Sequence, residues 1–153
     1  CLILGNKWDL SKEKEISFDE FEEHVRYRLK FMEYAPVVTV SAKTGLRIDK
    51  ILPQVEKVYE EYSRKIPTAT LNECFERAIQ KNPMSSYRGK FMKLFYATQV
   101  KKQPPTFKCF LNFPQGIHFS YRRYLINSLR KTFGFAGTPV RLILSGKRKG
   151  IDT

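Results

Sequence analysis

The sequence has few of the residues that build metal and disulfide sites. Its 153 residues contain three cysteines, Cys1, Cys74 and Cys109, and two histidines, His24 and His118. The cysteines are odd in number, far apart in sequence and without C-x-x-C spacing, so we expect reduced thiols, two of them buried. The histidines stand apart from each other and from the cysteines, and we predict no metal-binding residue.

Long apolar runs are also missing. No stretch approaches the roughly 20 apolar residues of a membrane-spanning helix. The chain opens with a short apolar segment, Cys1–Gly5, and no basic region precedes it as in a signal peptide. We therefore expect a cytoplasmic location and no membrane partner. Because the sequence starts without Met and directly before a motif, we also expect a piece of a longer protein.

Acidic residues are scarce in the second half of the chain. Residues 67–153 contain 16 Lys and Arg against 3 Asp and Glu, whereas residues 1–66 contain 12 of each class. The whole formal net charge of +13 therefore lies in the second half. This asymmetry predicts two domains, the second facing a polyanion, with solubility or an anionic lipid surface as alternatives.

The first part of the sequence follows the pattern of an α/β protein. Apolar and β-branched runs predict two buried strands, each followed by a loop and an amphipathic helix. The S-x-x-E capping box of Ser17 and Glu20 predicts the start of the first helix, and Pro36 limits its end. We interpret the segment as the end of a doubly wound, parallel-sheet domain, whose ligands bind at the carboxyl ends of its strands.

The second part predicts an α+β domain of α-β-β-α-β order. A linker over residues 66–70 precedes a helix that starts behind a second capping box, Thr70–Glu73. Alternation of apolar residues along 106–113 indicates a strand with one buried face. We expect a three-stranded sheet with both helices on one face. The remaining predicted elements are a strand over 90–100, a helix over 120–133 capped by Ser120, and a strand over 140–144.

An N-K-x-D pattern follows the first strand directly, as Asn6, Lys7, Trp8 and Asp9. Guanine presents two adjacent N–H donors, and one carboxylate accepts both, whereas adenine has no matching pair. Asp9 is therefore predicted to select guanine. Asn6 would tie neighbouring loops together or approach the base, and Lys7 would lay its stem along the purine ring.

An S-A-K pattern, Ser41, Ala42 and Lys43, follows the second strand. In this pattern the backbone N–H of Ala42 donates to the guanine keto oxygen, and the Lys43 stem covers the other ring face. Loops at the ends of two strands separated by one helix have the geometry to hold one base from both sides. The two patterns together predict half of a guanine pocket.

Phosphate-binding elements are absent from these 153 residues. No G-x-x-x-x-G-K-[ST] loop occurs, and no D-x-x-G segment precedes Asn6 to hold Mg²⁺ or to position water. We therefore predict no catalytic residue here, and no GTP hydrolysis by this chain alone.

The predicted helix over 120–133 carries a basic stripe. At about 100° per residue, its apolar residues share one face, Arg122 falls among them, and the cationic residues share the opposite face. No acidic residue occurs in this helix, which favours phosphate contacts over a merely solvated face. The candidate RNA-binding residues are Lys101, Lys102, Arg123, Asn127, Arg130, Lys131, Lys147, Arg148 and Lys149.

The combination resembles the C-terminal part of the bacterial Der (EngA) family of GTPases. The similar segments are the N-K-W-D-L and S-A-K-T-G motifs and the stretches 96–100, 104–107, 120–125 and 137–142. The resemblance implies a parent GTPase with two tandem G domains and a KH-like domain, which binds GTP or GDP with Mg²⁺ and assists assembly of the large ribosomal subunit. Residues 1–65 would end the second G domain, residues 66–70 would link, and residues 71–153 would form the basic KH-like domain.

Two alternatives remain open from the sequence. In the first, the KH-like domain is an intramolecular module that senses the nucleotide state of the first G domain, and ribosomal RNA is a secondary partner. In the second, the chain comes from another GTPase–KH fusion, such as the Era type. Nucleic-acid-binding KH domains use a G-x-x-G loop between two helices. The string Gly134–Gly137 instead stands between a helix and a strand, where it predicts a helix stop and a turn.

Overall fold

A computed structural model describes residues 1–146 of the chain. These residues form two compact units. One comprises Cys1–Tyr62 and Phe135–Pro139, and the other comprises Ser63–Gly134 and the described residues from Val140 onwards. No helix in the described part has both the length and the apolar character needed to cross a membrane.

The first unit has the predicted order of strand, loop, helix, strand, loop and helix. Its two strands pair in parallel, with Ile3 opposite Val37 and Gly5 opposite Thr39. One helix connects the two strands, and a second helix follows the second strand. The elements are β1 (Ile3–Gly5), α1 (Phe18–Arg28), β2 (Val37–Thr39) and α2 (Ile51–Ser63).

Helix α1 begins at the predicted capping box. The Ser17 hydroxyl accepts from the backbone N–H of Glu20, and the Glu20 carboxylate accepts from the backbone N–H of Ser17 over 3.0 Å. The helix ends at Arg28, earlier than Pro36 requires, because Leu29 takes a non-helical φ of −114°. On its inner side, the Phe21 ring lies so near Gly5 that a Cβ there would come within 2.7 Å of it.

The segment Phe135–Pro139 belongs to the first unit. The backbone N–H of the buried Phe135 donates to the Glu61 carboxylate over 2.6 Å, and that of Gly137 donates to the Tyr34 carbonyl over 2.7 Å. Gly137 has a φ of +69°, and a Cβ there would lie 2.5 Å from Val58. The G-x-x-G string is therefore a turn within a packed segment, as predicted, and not an open loop between helices.

The second unit has the predicted α-β-β-α-β order. Its sheet has the strand order β3-β4-β5, antiparallel between the first two strands and parallel between the last two. Helices α3 and α4 contact each other, α3 contacts β3, and α4 contacts β5. The elements are α3 (Thr68–Lys81), β3 (Leu94–Lys101), β4 (Thr106–Leu111), α4 (Phe119–Phe133) and β5 (Arg141–Gly146).

The core of the second unit lies between the sheet and the two helices. Alternate residues of β4, namely Phe107, Cys109 and Leu111, are at most 1% exposed. Helix α4 adds Leu125 and Leu129, which are equally buried. Each large apolar side chain buried in this way contributes about 1.5–3 kcal/mol relative to an exposed one. The predicted alternation of β4 and the predicted inner face of α4 are therefore confirmed.

Three predicted helix or strand starts are wrong. Helix α3 begins at Thr68, behind Pro67, and the Thr70 capping box does not form. Helix α4 begins at Phe119, and His118 is its cap because the His118 ring accepts from the Ser120 N–H. Strand β3 begins at Leu94 because the backbones of Tyr87 and Lys90 first close a tight turn on each other.

The Thr70 capping box does not form because the helix already begins at Thr68, so Thr70 is a helical residue and not the non-helical cap residue. Asn72, inside the helix, bonds to a strand. The Asn72 side chain accepts from the Ala97 N–H over 2.7 Å and donates to the Ala97 carbonyl over 2.9 Å. These two bonds attach α3 to the backbone of β3. Pro67 supplies an extended residue with a preset φ of −60°, which suits the position before a helix.

Candidate functional site

The two predicted guanine loops lie side by side. Because β1 and β2 are parallel neighbours, the loops that follow them emerge at the same edge of the sheet. The backbone N–H of Trp8 donates to the Val40 carbonyl over 3.0 Å, and that of Val40 donates to the Gly5 carbonyl over 2.9 Å. The structure thus brings the N-K-W-D and S-A-K segments together.

The Asn6 side chain connects the loops. Its Oδ1 accepts from the backbone N–H of Lys7 over 2.8 Å and from that of Ala42 over 3.1 Å. Lys7 has a left-handed backbone, with φ of 62° and ψ of 33°, which turns the chain sharply after Asn6. Of the two roles considered for Asn6, this geometry supports the loop tie. The Ala42 N–H, expected to face a keto oxygen, has Asn6 as its partner here.

The Asp9 carboxylate is held by Ser41. The Ser41 hydroxyl donates to Asp9 Oδ1 over 2.6 Å, and the same hydroxyl accepts from the backbone N–H of Thr44. Ser41 is completely buried, so its position is fixed by the surrounding loop. A carboxylate has about four acceptor positions, so Asp9 can accept further donors beside Ser41.

The pKa of Asp9 is lowered from its usual range. The Ser41 hydrogen bond is the largest cause, the Asp9 backbone N–H adds to it, and the positive charges of Lys43 and Lys7 contribute further. Asp9 is therefore ionised at neutral pH, with one exposed lysine on each loop nearby. This arrangement is chemically suited to bind two adjacent N–H donors of a planar ligand.

The predicted basic stripe lies on the outer face of α4. Arg123, Asn127 and Lys131 are exposed, and Arg130 is half-buried. Arg122, which the helical spacing places among the apolar residues, donates to the Leu142 carbonyl over 2.6 Å and so is a structural residue.

A groove between α3 and α4 extends this stripe. Its volume is about 580 Å³, and Arg77 and Lys81 of α3 line it opposite Asn127 and Lys131 of α4. Sequence reasoning missed the two α3 residues. Their spacing of four residues on one helix face was the available signal, but their approach to α4 depends on tertiary packing.

The other predicted RNA-binding residues lie apart from this groove. Lys101 and Lys102 are exposed at the turn between β3 and β4, where with Lys65 they line a groove of about 190 Å³. The two grooves share no lining residue. Lys147, Arg148 and Lys149 lie outside the residues that the structure describes.

Within residues 1–146, no group of three or more His, Cys, Asp or Glu side chains is arranged to hold a metal ion. Cys74 and Cys109 are buried free thiols, as predicted for two of the three cysteines, and Cys1 is exposed.

Residues 65–144 match a family described as the KH-domain-like C-terminal domain of EngA bacterial GTPase enzymes. The chain is 48% identical to a protein named GTPase Der from Moorella thermoacetica, covering 97% of this chain and 34% of that protein. It is 44% identical to GTPase Der from Caldanaerobacter subterraneus subsp. tengcongensis, covering 99% and 34%. It is 42% identical to GTPase Der from Geotalea daltonii, covering 96% and 33%.

The chain thus spans about a third of the length of these curated relatives. The matched family covers just over half of the chain, and the similarity to the relatives extends through both the N-K-W-D and the basic segments. The chain therefore belongs to the EngA family of bacterial GTPases, called GTPase Der in these relatives, and corresponds to the C-terminal region of that family.

Proposed function

We propose that the first unit supplies the guanine-recognition half of a GTP-binding site. Asp9 accepts both donors of the base. The Ala42 N–H, which donates to Asn6 Oδ1 over 3.1 Å in this structure, turns to the keto oxygen when the base binds. Lys7 and Lys43 cover the two ring faces. The observation that supports this proposal most directly is that Ser41 orients Asp9, while Asn6 joins the two loops. Because the Ser41–Asp9 bond is formed before the ligand arrives, the carboxylate needs little ordering on binding.

The full-length protein is, in this proposal, a GTPase that binds GTP or GDP. Phosphate binding, Mg²⁺ binding and hydrolysis are assigned to residues outside these 153, since the chain contains no G-x-x-x-x-G-K-[ST] sequence. Residues 1–65 end the second G domain, and residues 71–153 form the KH-like domain. Residues 66–70 form the linker, and the last three of them already belong to the first turn of α3.

We further propose that the KH-like domain docks on ribosomal RNA during assembly of the large ribosomal subunit, in the cytoplasm. The α3–α4 groove supports this, because Arg77, Lys81 and Lys131 line it and α4 contains no acidic residue. Phosphates are bound by such cationic grooves without regard to sequence. Residues 67–153 contain 16 basic and 3 acidic residues, and this positive charge also favours binding to RNA.

Site-specific photocrosslinking of the full-length protein to ribosomal subunits tests the docking proposal. A crosslinker at Asn127, inside the groove, is expected to label ribosomal RNA of the large subunit. The matched control is a crosslinker at the exposed Gln115 of the same unit. Reactions with and without a non-hydrolysable GTP analogue measure the nucleotide dependence. Crosslinks from Asn127 only to the first G domain of its own chain would instead support an intramolecular sensing module.

A further inference from the structure

The sheet of the second unit has one face that the helices do not cover. Phe107, Cys109 and Leu111 of β4 point into the core, so the alternate residues Lys108 and Phe110 point to the opposite face. Paired residues on neighbouring strands share a face. The outer face therefore contains two rows across the strands: Tyr96, Phe110 and Ser145, and Thr98, Lys108 and Ile143.

This outer face carries an aromatic pair, in which Tyr96 is exposed and Phe110 is half-buried. The Tyr96 and Phe110 rings are stacked, with centroids 4.4 Å apart and planes inclined by 20°. Tyr96 is 48% exposed, and Ile143 in the next row is 44% exposed. The Lys108 ammonium lies 5.1 Å from the Phe110 ring centroid. A flat, accessible pair of rings with a cation beside it is the arrangement on which nucleic-acid bases stack.

The charges of the sheet fit an anionic ligand. Its charged side chains are Lys101, Lys108 and Arg141, and no Asp or Glu occurs between Arg77 and Ile151 in the sequence. Arg141 and Lys108 lie on neighbouring strands, two residues apart in register, because Thr106 pairs with Arg141 and Lys108 pairs with Ile143. The cations thus border the aromatic row on one side, where the phosphates of a bound strand would run.

We propose that this outer face binds single-stranded RNA by stacking its bases on Tyr96 and Phe110, with Lys108 and Arg141 near the phosphates. The inference rests on the proposed RNA docking and adds a second, base-contacting surface to the phosphate-contacting groove between α3 and α4. A base stacked on Tyr96 extends the pair to three rings. Stacking discriminates weakly between bases, because every base has a π-face.

Fluorescence anisotropy with the 153-residue chain tests this proposal. One probe is a labelled oligo(A), and the other is an abasic oligonucleotide of equal length, which has the phosphates without the bases. The chain is expected to bind oligo(A) roughly 5- to 150-fold more tightly, the effect of one stacked base. Tyr96→Ala removes this preference, whereas Tyr96→Phe keeps it. Tyr27→Ala, at a 68% exposed tyrosine of the first unit, is the matched control and keeps it too.

The outcomes separate the two proposals. Equal affinity for both oligonucleotides in the folded wild-type chain overturns base stacking, and salt-dependent binding of both leaves phosphate docking in place. If neither oligonucleotide binds, both proposals fail. If Tyr96→Ala weakens binding of a nucleotide-loaded G domain and leaves oligo(A) binding unchanged, the outer face contacts a protein. Circular dichroism and thermal unfolding establish that each variant is folded.

Discussion

The Ser41 hydroxyl donates a hydrogen bond of 2.6 Å to the Asp9 carboxylate, across 32 residues of sequence. Ser41 is completely buried, and its hydroxyl also accepts from Thr44. The carboxylate is thus fixed by the loop that carries Ala42 and Lys43, so the two motifs act as one structural element. A change in either loop is expected to alter the other.

Asp9→Asn in the full-length protein is expected to weaken GTP binding and to shift preference towards xanthosine nucleotides. An amide loses one acceptor for the guanine donors and gains a donor that suits the extra keto group of xanthine. Each hydrogen bond to a charged group is worth about 1.5–3 kcal/mol. Competition binding with guanosine and xanthosine nucleotides measures the shift, and Asp49→Asn, at an exposed carboxylate of the same unit, is the control. Unchanged base preference in Asp9→Asn would refute the proposed role of Asp9.

Ser17→Ala is expected to destabilise the first unit by about 1 kcal/mol, since the capping hydroxyl of α1 is lost. Trp8, the only tryptophan, lies against Phe18 and Phe21 of α1, so its fluorescence during urea unfolding reports this unit. Ser86→Ala, at an exposed position of the second unit, should leave the Trp8 transition unchanged.

Acidification is expected to remove part of the same stabilisation. The Ser17 N–H and hydroxyl lower the pKa of Glu20 from its usual 4.5. A group whose pKa is lower in the folded state stabilises the fold at pH values above its pKa in the unfolded state. This stabilisation is lost as the pH falls through its pKa in the folded state. The wild type should therefore have a larger free energy of unfolding than Glu20→Gln at neutral pH. This difference should become smaller in acid. A difference that grows in acid would contradict the capping geometry.

Thiol labelling of the native chain is expected to modify Cys1 and to spare Cys74 and Cys109. Burial raises the pKa of the Cys109 thiol to about 12, so almost no reactive thiolate forms near neutral pH. Cys74 is buried, and its thiol lies 3.3 Å from the Thr132 hydroxyl. Mass spectrometry after maleimide treatment should find one modified cysteine without denaturant and three with it. Rapid native labelling of Cys109 would show that the sheet core is open.

The periodicity of single elements and one capping box were predictable from sequence, whereas most side-chain bonds between distant segments were not. The Ser17–Glu20 capping box is formed by residues three apart, so its pattern sufficed. The similar Thr70 pattern fails because α3 begins earlier, at Thr68 behind Pro67, which places Thr70 inside the helix. The periodicity of β4 and α4 predicted their buried faces, since burial follows the repeat of each element.

The same distinction applies to the candidate site. The two motifs and the strand before each predicted that the loops meet, because parallel strands end at one edge of a sheet. The sequence left open whether Asn6 would tie the loops together or approach the base, and the bond from Ala42 to Asn6 depends on the left-handed turn at Lys7. The contribution of Arg77 and Lys81 to the basic groove required the contact between α3 and α4.

The salt dependence of RNA binding by the chain tests the proposed docking most directly. If about five phosphates are contacted, the log–log slope of affinity against salt should lie near −4. Arg123→Ala with Lys131→Ala should flatten the slope by roughly one to two units without unfolding, because both residues are exposed. Lys12→Ala with Lys14→Ala removes equal charge from exposed sites of the first unit and should keep the slope. A folded Arg123/Lys131 double variant with the wild-type slope, or wild-type binding without salt dependence, would contradict RNA docking through the basic stripe of α4 and the adjoining α3–α4 groove.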